Sequence, residues 1–125
     1  MDRERILIIF NDQDLSRVLT GVLTTYGYEV EARDSVFGAV GIVREAHPSA
    51  VLLDLGLPFR PGTSLLAELK ADPRTADVPV LVISGLPGIL NEDRRAMAAA
   101  ILSKPFEIAE LLDAVRKACE HERGS

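Results

Sequence analysis

Apolar positions along the chain follow two alternating rhythms. Ile6-Leu7-Ile8-Ile9-Phe10 is one unbroken apolar run, the pattern of a strand covered on both faces. Asn11 and Asp12 end it. Leu15, Val18, Leu19, Val22 and Leu23 then recur at helical spacing, with Asp14 as the expected N-cap and Gly27 as the stop. Tyr28 to Ala32 alternates apolar and charged residues, as a more exposed strand would, and Asp34 or Ser35 is placed to cap a second helix ending near His47-Pro48. Ala50 to Asp54 is a third strand, apolar until its last residue, and a Gly/Pro-rich loop from Leu55 to Gly62 leads into a helix over Thr63 to Ala71. Beyond the turn Asp72-Pro73-Arg74 comes a fourth strand, Val78 to Ser84, then a loop at Leu86-Pro87-Gly88 and a short Ala-rich helix over Asn91 to Ala99. Ala100 to Ser103 is the fifth strand and Glu107 to His121 the last helix. Strands alternating with helices predict an α/β fold, a doubly wound parallel sheet covered on both faces.

The 125 residues suit one domain. With 47% hydrophobic and 26% charged residues, the chain can bury a core and keep a polar surface. Its longest apolar runs fall far short of the roughly 20 residues of a membrane-spanning helix, and no signal-peptide pattern follows the charged start, so a cytoplasmic location is expected. A net charge of −5 without a basic stripe argues against direct contact with nucleic acid. The single cysteine, Cys119, excludes an internal disulfide and reads as a small core residue.

In such folds the carboxyl ends of the strands gather at one rim, where ligands bind. That rule selects Asn11, Asp12, Asp54, Ser84 and Lys104. Singly, each has a plain structural explanation: an Asp ending a strand is usually a turn former, and a lone Lys or Ser is usually solvated.

Together they resemble the receiver domain of response regulators, and the resemblance spans nearly the whole chain. Val51-Leu52-Leu53-Asp54-Leu55-Gly56-Leu57-Pro58, with Gly62 beyond it, is similar to the phosphoacceptor strand and loop. Val80-Leu81-Val82-Ile83-Ser84-Gly85 is similar to strand four with its terminal Ser/Thr, and Lys104-Pro105-Phe106 with Glu110-Leu111 to the segment after strand five. The resemblance implies a flavodoxin-like (βα)5 three-layer sandwich with strand order 2-1-3-4-5. It implies a phosphoryl group accepted on Asp54, stabilised by Lys104 and the Ser84 hydroxyl, and Mg²⁺ held by Asp54, the Gly56 backbone carbonyl and the end of strand one. It further implies a cis bond before Pro105 and a switch linking Ser84 to residue 101. The partners implied are a histidine kinase or phosphotransfer protein and a downstream protein target. The activity is signalling, with at most self-catalysed phosphoryl transfer and hydrolysis.

The chain departs from that pattern in three places. The family ends strand one with two acids; here the same positions hold Phe10, which cannot ligate a metal, and Asn11, a neutral amide. Asp12 is the neighbouring acid, open to a metal role or to capping. Ile101 replaces the usual aromatic of the switch, and the stretch from Ser84 to Lys104 is short, as if the fourth helix were trimmed. With those carboxylates missing, Lys104 is free to pair directly with Asp54.

Three readings follow. One is a phosphoacceptor with a weakened Mg²⁺ site. Another is an atypical receiver acting through protein contacts without phosphorylation. The third, a flavodoxin-like nucleotide binder, lacks the Gly-rich phosphate loop after strand one. The last helix carries an apolar stripe, Ile108, Leu111, Leu112 and Val115, expected to pack on the sheet, with a homodimer as the other option.

Overall fold

The computed structural model describes residues 3–35, 37–55, 62–85 and 92–124. Strands β1 (Arg5–Ile9), β2 (Glu29–Arg33), β3 (Ala50–Asp54), β4 (Val80–Ser84) and β5 (Ala100–Ser103) form one parallel sheet in the order β2-β1-β3-β4-β5. They alternate with helices α1 (Gln13–Thr25), α2 (Ala39–Ala46), α3 (Gly62–Ala71), α4 (Glu92–Met97) and α5 (Ile108–Gly124). The expected doubly wound architecture and strand order are both present. The expected loops over 55–62 and 86–88 lie almost wholly outside the described residues.

Strand alternation divides the core into two layers. Leu7, Ile9, Val51, Leu53, Val80 and Val82 face one side, where they meet Ala39 and Val43 of α2 and Leu65, Leu66 and Leu69 of α3. Ile6, Ile8, Ala50, Leu52, Leu81 and Ile83 face the other, against Leu19 and Leu23 of α1 and Leu111, Val115 and Cys119 of α5. Each fully buried Leu or Ile contributes about 1.5–3 kcal/mol, in keeping with β3 and β4 carrying no polar residue before their final positions. Cys119 is a core residue, as expected. On α5, Leu111 and Val115 are buried and Leu112 packs against the core, whereas Ile108 keeps about a third of its surface (36%) exposed.

Several boundaries differ from the expectation, each for a local reason. The N-cap of α1 is Asp12, not Asp14: an Asp12 carboxylate oxygen accepts the Leu15 amide at 3.1 Å, and Asp14 lies within the first turn. Helix α1 closes at Gly27, whose φ of 95° suits glycine. The Gly27 amide donates to Thr24 and the Tyr28 amide to Leu23, the paired bonds of a Schellman stop. Helix α2 starts three residues later than a cap at Ser35 would place it. The Ser35 hydroxyl instead accepts the Phe37 amide at 2.9 Å, and Gly38, at φ 74°, has a left-handed backbone that no helix interior accommodates. Helix α4 is short, covering six residues.

Candidate functional site

The site grows from the ends of β3, β4 and β5. Four buried aliphatic positions carry β3 to the rim, and Asp54 is its last residue. Asp54 lies opposite Ile83 of β4, and the Leu55 amide donates to the Ile83 carbonyl at 3.0 Å. Ser84 is therefore one step further along the same rim, and it is buried. Ser84 lies opposite Ser103 of β5, and its carbonyl accepts the Lys104 amide at 2.9 Å. Backbone pairing thus fastens residues 54, 84 and 104 to one edge of the sheet, although they are far apart in the chain.

The side chains complete the link between Asp54 and Lys104. The Lys104 ammonium donates to both carboxylate oxygens, at 3.1 and 3.0 Å. The Asp54 side chain is only 5% exposed and that of Lys104 33%. A charge-assisted, two-oxygen contact between a buried acid and a half-open base is the direct pairing expected when neighbouring acids are missing. The peptide bond between Lys104 and Pro105 is cis.

Other residues from the sequence reading lie elsewhere. Phe10 extends the pairing of β1, its amide donating to the Arg33 carbonyl at 3.0 Å, and its side chain is fully buried. It belongs to the apolar layer beneath α1 and α5, with Ile8, Leu19 and Ile83. Asn11 is exposed. Asp12 is exposed too and serves as the α1 cap, the second of the two roles open to it. Ile101 is half-buried opposite Val82 and packs on the α2–α3 layer, a core position. Gly56 lies outside the described residues.

These placements test the fit of Mg²⁺. A hard divalent cation needs several oxygen donors converging on one point. Of the candidate donors, Asp54 faces an ammonium, Asp12 caps a helix, and position 10 offers a phenyl ring inside the core. Among the described residues no group of three or more His, Cys, Asp or Glu side chains could hold a metal. The described donor set does not fit the ion.

Two side chains that the sequence reading passed over organise the opposite end of the sheet. Thr75 is fully buried and donates to the Leu69 carbonyl at 2.6 Å, and Lys70 donates to the carbonyls of Ala76 and Val78. Burial holds the Lys70 ammonium below its ordinary pKa, against an opposing pull from Asp77. Both residues tie α3 to the turn before β4. A threonine directly after Asp72-Pro73-Arg74 was the available signal.

The model of the response regulator receiver domain matches residues 6–116. The DNA-binding dual master transcriptional regulator RpaA of Synechocystis is 36% identical over 115 residues, covering 90% of this chain and 47% of RpaA. Sporulation initiation phosphotransferase F of Bacillus subtilis is 29% identical over 117 residues, covering 94% of each. The chain therefore spans about half the length of the first relative and nearly all of the second. Among solved structures, the receiver domain of sensor histidine kinase PA1611 from Pseudomonas aeruginosa, with a magnesium ion coordinated in its active-site cleft, superposes with a TM-score of 0.82. Identity is 25%, over 95% of this chain and 99% of that one. With its strand order, its acid–lysine pair at the rim and a family match over most of its length, this chain belongs to the response regulator receiver domains of two-component signalling.

Proposed function

We propose that Asp54 accepts a phosphoryl group from a phosphohistidine on a histidine kinase or phosphotransfer protein, and that the added charge changes the domain's contacts with a downstream protein target. The observation that carries this reading is the two-oxygen contact between Asp54 and Lys104 at the carboxyl rim of the sheet. One Asp54 oxygen attacks phosphorus, the phosphorus–nitrogen bond breaks, and its electron pair stays on the imidazole nitrogen; the product is an acyl phosphate. The attacking oxygen must first leave the Lys104 ammonium. The ammonium then meets the incoming phosphoryl oxygens, and Ser84, at the adjacent strand end, supplies a hydroxyl donor. The chain has no substrate to turn over beyond its own acyl phosphate. No helix among the described residues is long and apolar enough to cross a membrane, which supports a cytoplasmic site of action beside the kinase. The net charge of −5 supports a protein rather than a nucleic-acid target.

A specific observation favours a second reading, that of an interaction module independent of phosphorylation. Phe10, at a position where receiver domains carry an acid, is committed to the core. Incubation with phosphoramidate or acetyl phosphate, followed by intact-mass spectrometry, separates the two. The first reading expects one phosphoryl adduct, absent in Asp54→Asn and removed by hydroxylamine. A folded wild-type protein that gains no adduct supports the second.

A further inference from the structure

We infer that the Asp54 pocket works without a divalent cation, its charge balanced by Lys104 within the chain; this deepens the reading of Asp54 as the working carboxylate and rests on it. A rim with the receptor carboxylate, two further acids and one lysine has two negative charges in excess, which one Mg²⁺ cancels. Here Asp54 and Lys104 cancel each other directly, at 3.0 and 3.1 Å, and positions 10 and 11 add no charge. A divalent ion entering this rim would have to displace an ammonium bound through both carboxylate oxygens. It would also meet like charge at close range in a poorly solvated site.

Geometry points the same way. The Phe10 side chain is held in the apolar layer with Leu19 and Ile83, so position 10 presents no donor to the rim. An Asp12 oxygen, the nearest remaining acid in sequence, is engaged by the Leu15 amide, where the positive end of the α1 dipole also favours its charge. Moving that carboxylate onto a metal would uncap α1. Asn11 retains one amide oxygen, which alone does not hold Mg²⁺ against water.

The experiment uses the whole chain, checked for folding by far-ultraviolet circular dichroism. Isothermal titration with MgCl2 alone is expected to give no saturable heat. The thermal midpoint in about 10 mM MgCl2 is expected to match that in NaCl of equal ionic strength, where a millimolar-or-tighter site would raise it measurably. Phosphoramidate labelling is expected to proceed at the same rate, within twofold, in Mg²⁺ and in EDTA. A saturable Mg²⁺ isotherm abolished by Asp54→Asn, or labelling lost in EDTA, overturns the inference. Silence toward Mg²⁺ together with no labelling in either buffer overturns phosphoacceptance, and with it a pocket that works, while Mg²⁺-dependent labelling overturns the metal independence alone, so the two failures are distinguishable.

Discussion

Deleting the Lys104 ammonium is expected to cost more stability than deleting the Asp54 charge. Lys104→Met keeps the stem and leaves a carboxylate whose side chain is 5% exposed; Asp54→Asn keeps the shape and leaves an ammonium that is 33% exposed and can hydrate. Removing one partner of a fully buried pair costs about 3–5 kcal/mol. Water access on the lysine side reduces this, and about 2 kcal/mol is expected for Lys104→Met against about 1 kcal/mol or less for Asp54→Asn. At roughly 4 °C per kcal/mol for a domain of this size, the midpoints fall by about 8 °C and less than about 4 °C. The double variant has no orphaned charge and should be less destabilised than the sum of the single changes by about 1 kcal/mol. Urea denaturation of the four proteins at pH 7 and fixed ionic strength supplies the cycle. Effects that add to within about 0.5 kcal/mol, or an Asp54→Asn protein less stable than Lys104→Met, would refute the reasoning.

Three other outcomes are expected. Asp12→Ala should lower stability by about 1 kcal/mol through the lost α1 cap, with phosphoramidate labelling unchanged; a strong labelling defect would instead return Asp12 to the site. Thr75→Val should cost about 1–2 kcal/mol in urea, because the buried Leu69 carbonyl loses its hydroxyl donor, and a neutral result would show that the turn rearranges. The Asp72 carboxyl is held below its usual range, chiefly by the hydrogen bond from Arg44 and then by the Arg74 amide. A depressed acid stabilises the fold above its unfolded pKa, near 4, and that contribution disappears as pH falls through the lower folded value. The stability gap between wild type and Asp72→Asn should be full at pH 7 and close below about pH 4; a gap independent of pH counts against the ion pair with Arg44.

The sequence reading succeeded where one residue had one physical use. The apolar runs 50–54 and 100–103 each end on a polar residue, Asp54 and Ser103, and the observed strands have those limits. It slipped where neighbours competed for one role. Asp12 and Asp14 can both cap a helix, and only the position of the Leu15 amide decides between them. Ser35 looks like a cap in sequence, yet its hydroxyl closes a tighter local turn, and the left-handed Gly38 postpones the helix. The pairing of Asp54 with Lys104 could be anticipated from charge. Its two-oxygen geometry could not, because it spans 50 residues and depends on the sheet order that sets β3, β4 and β5 side by side.

Phe10 shows why the metal position and the core cannot be restored independently. A buried phenylalanine side chain contributes about 1.5–3 kcal/mol through apolar burial, and here the ring shares a layer with residues of β1, β4 and α1. Phe10→Asp would lose that contribution, leave a cavity and set a carboxylate against aliphatic neighbours. The large-to-small change alone costs about 3–5 kcal/mol, against a total stability of about 5–15 kcal/mol for a typical domain. An acid at position 10 is tolerable where a bound cation offsets its charge and a different side chain fills the layer. In this chain the phenyl ring itself fills the layer, and Lys104 already offsets the Asp54 charge. On the metal-free reading the two features act together: the ring in the core leaves position 10 without a ligand for a cation, and the ammonium on Asp54 supplies the charge a cation would bring.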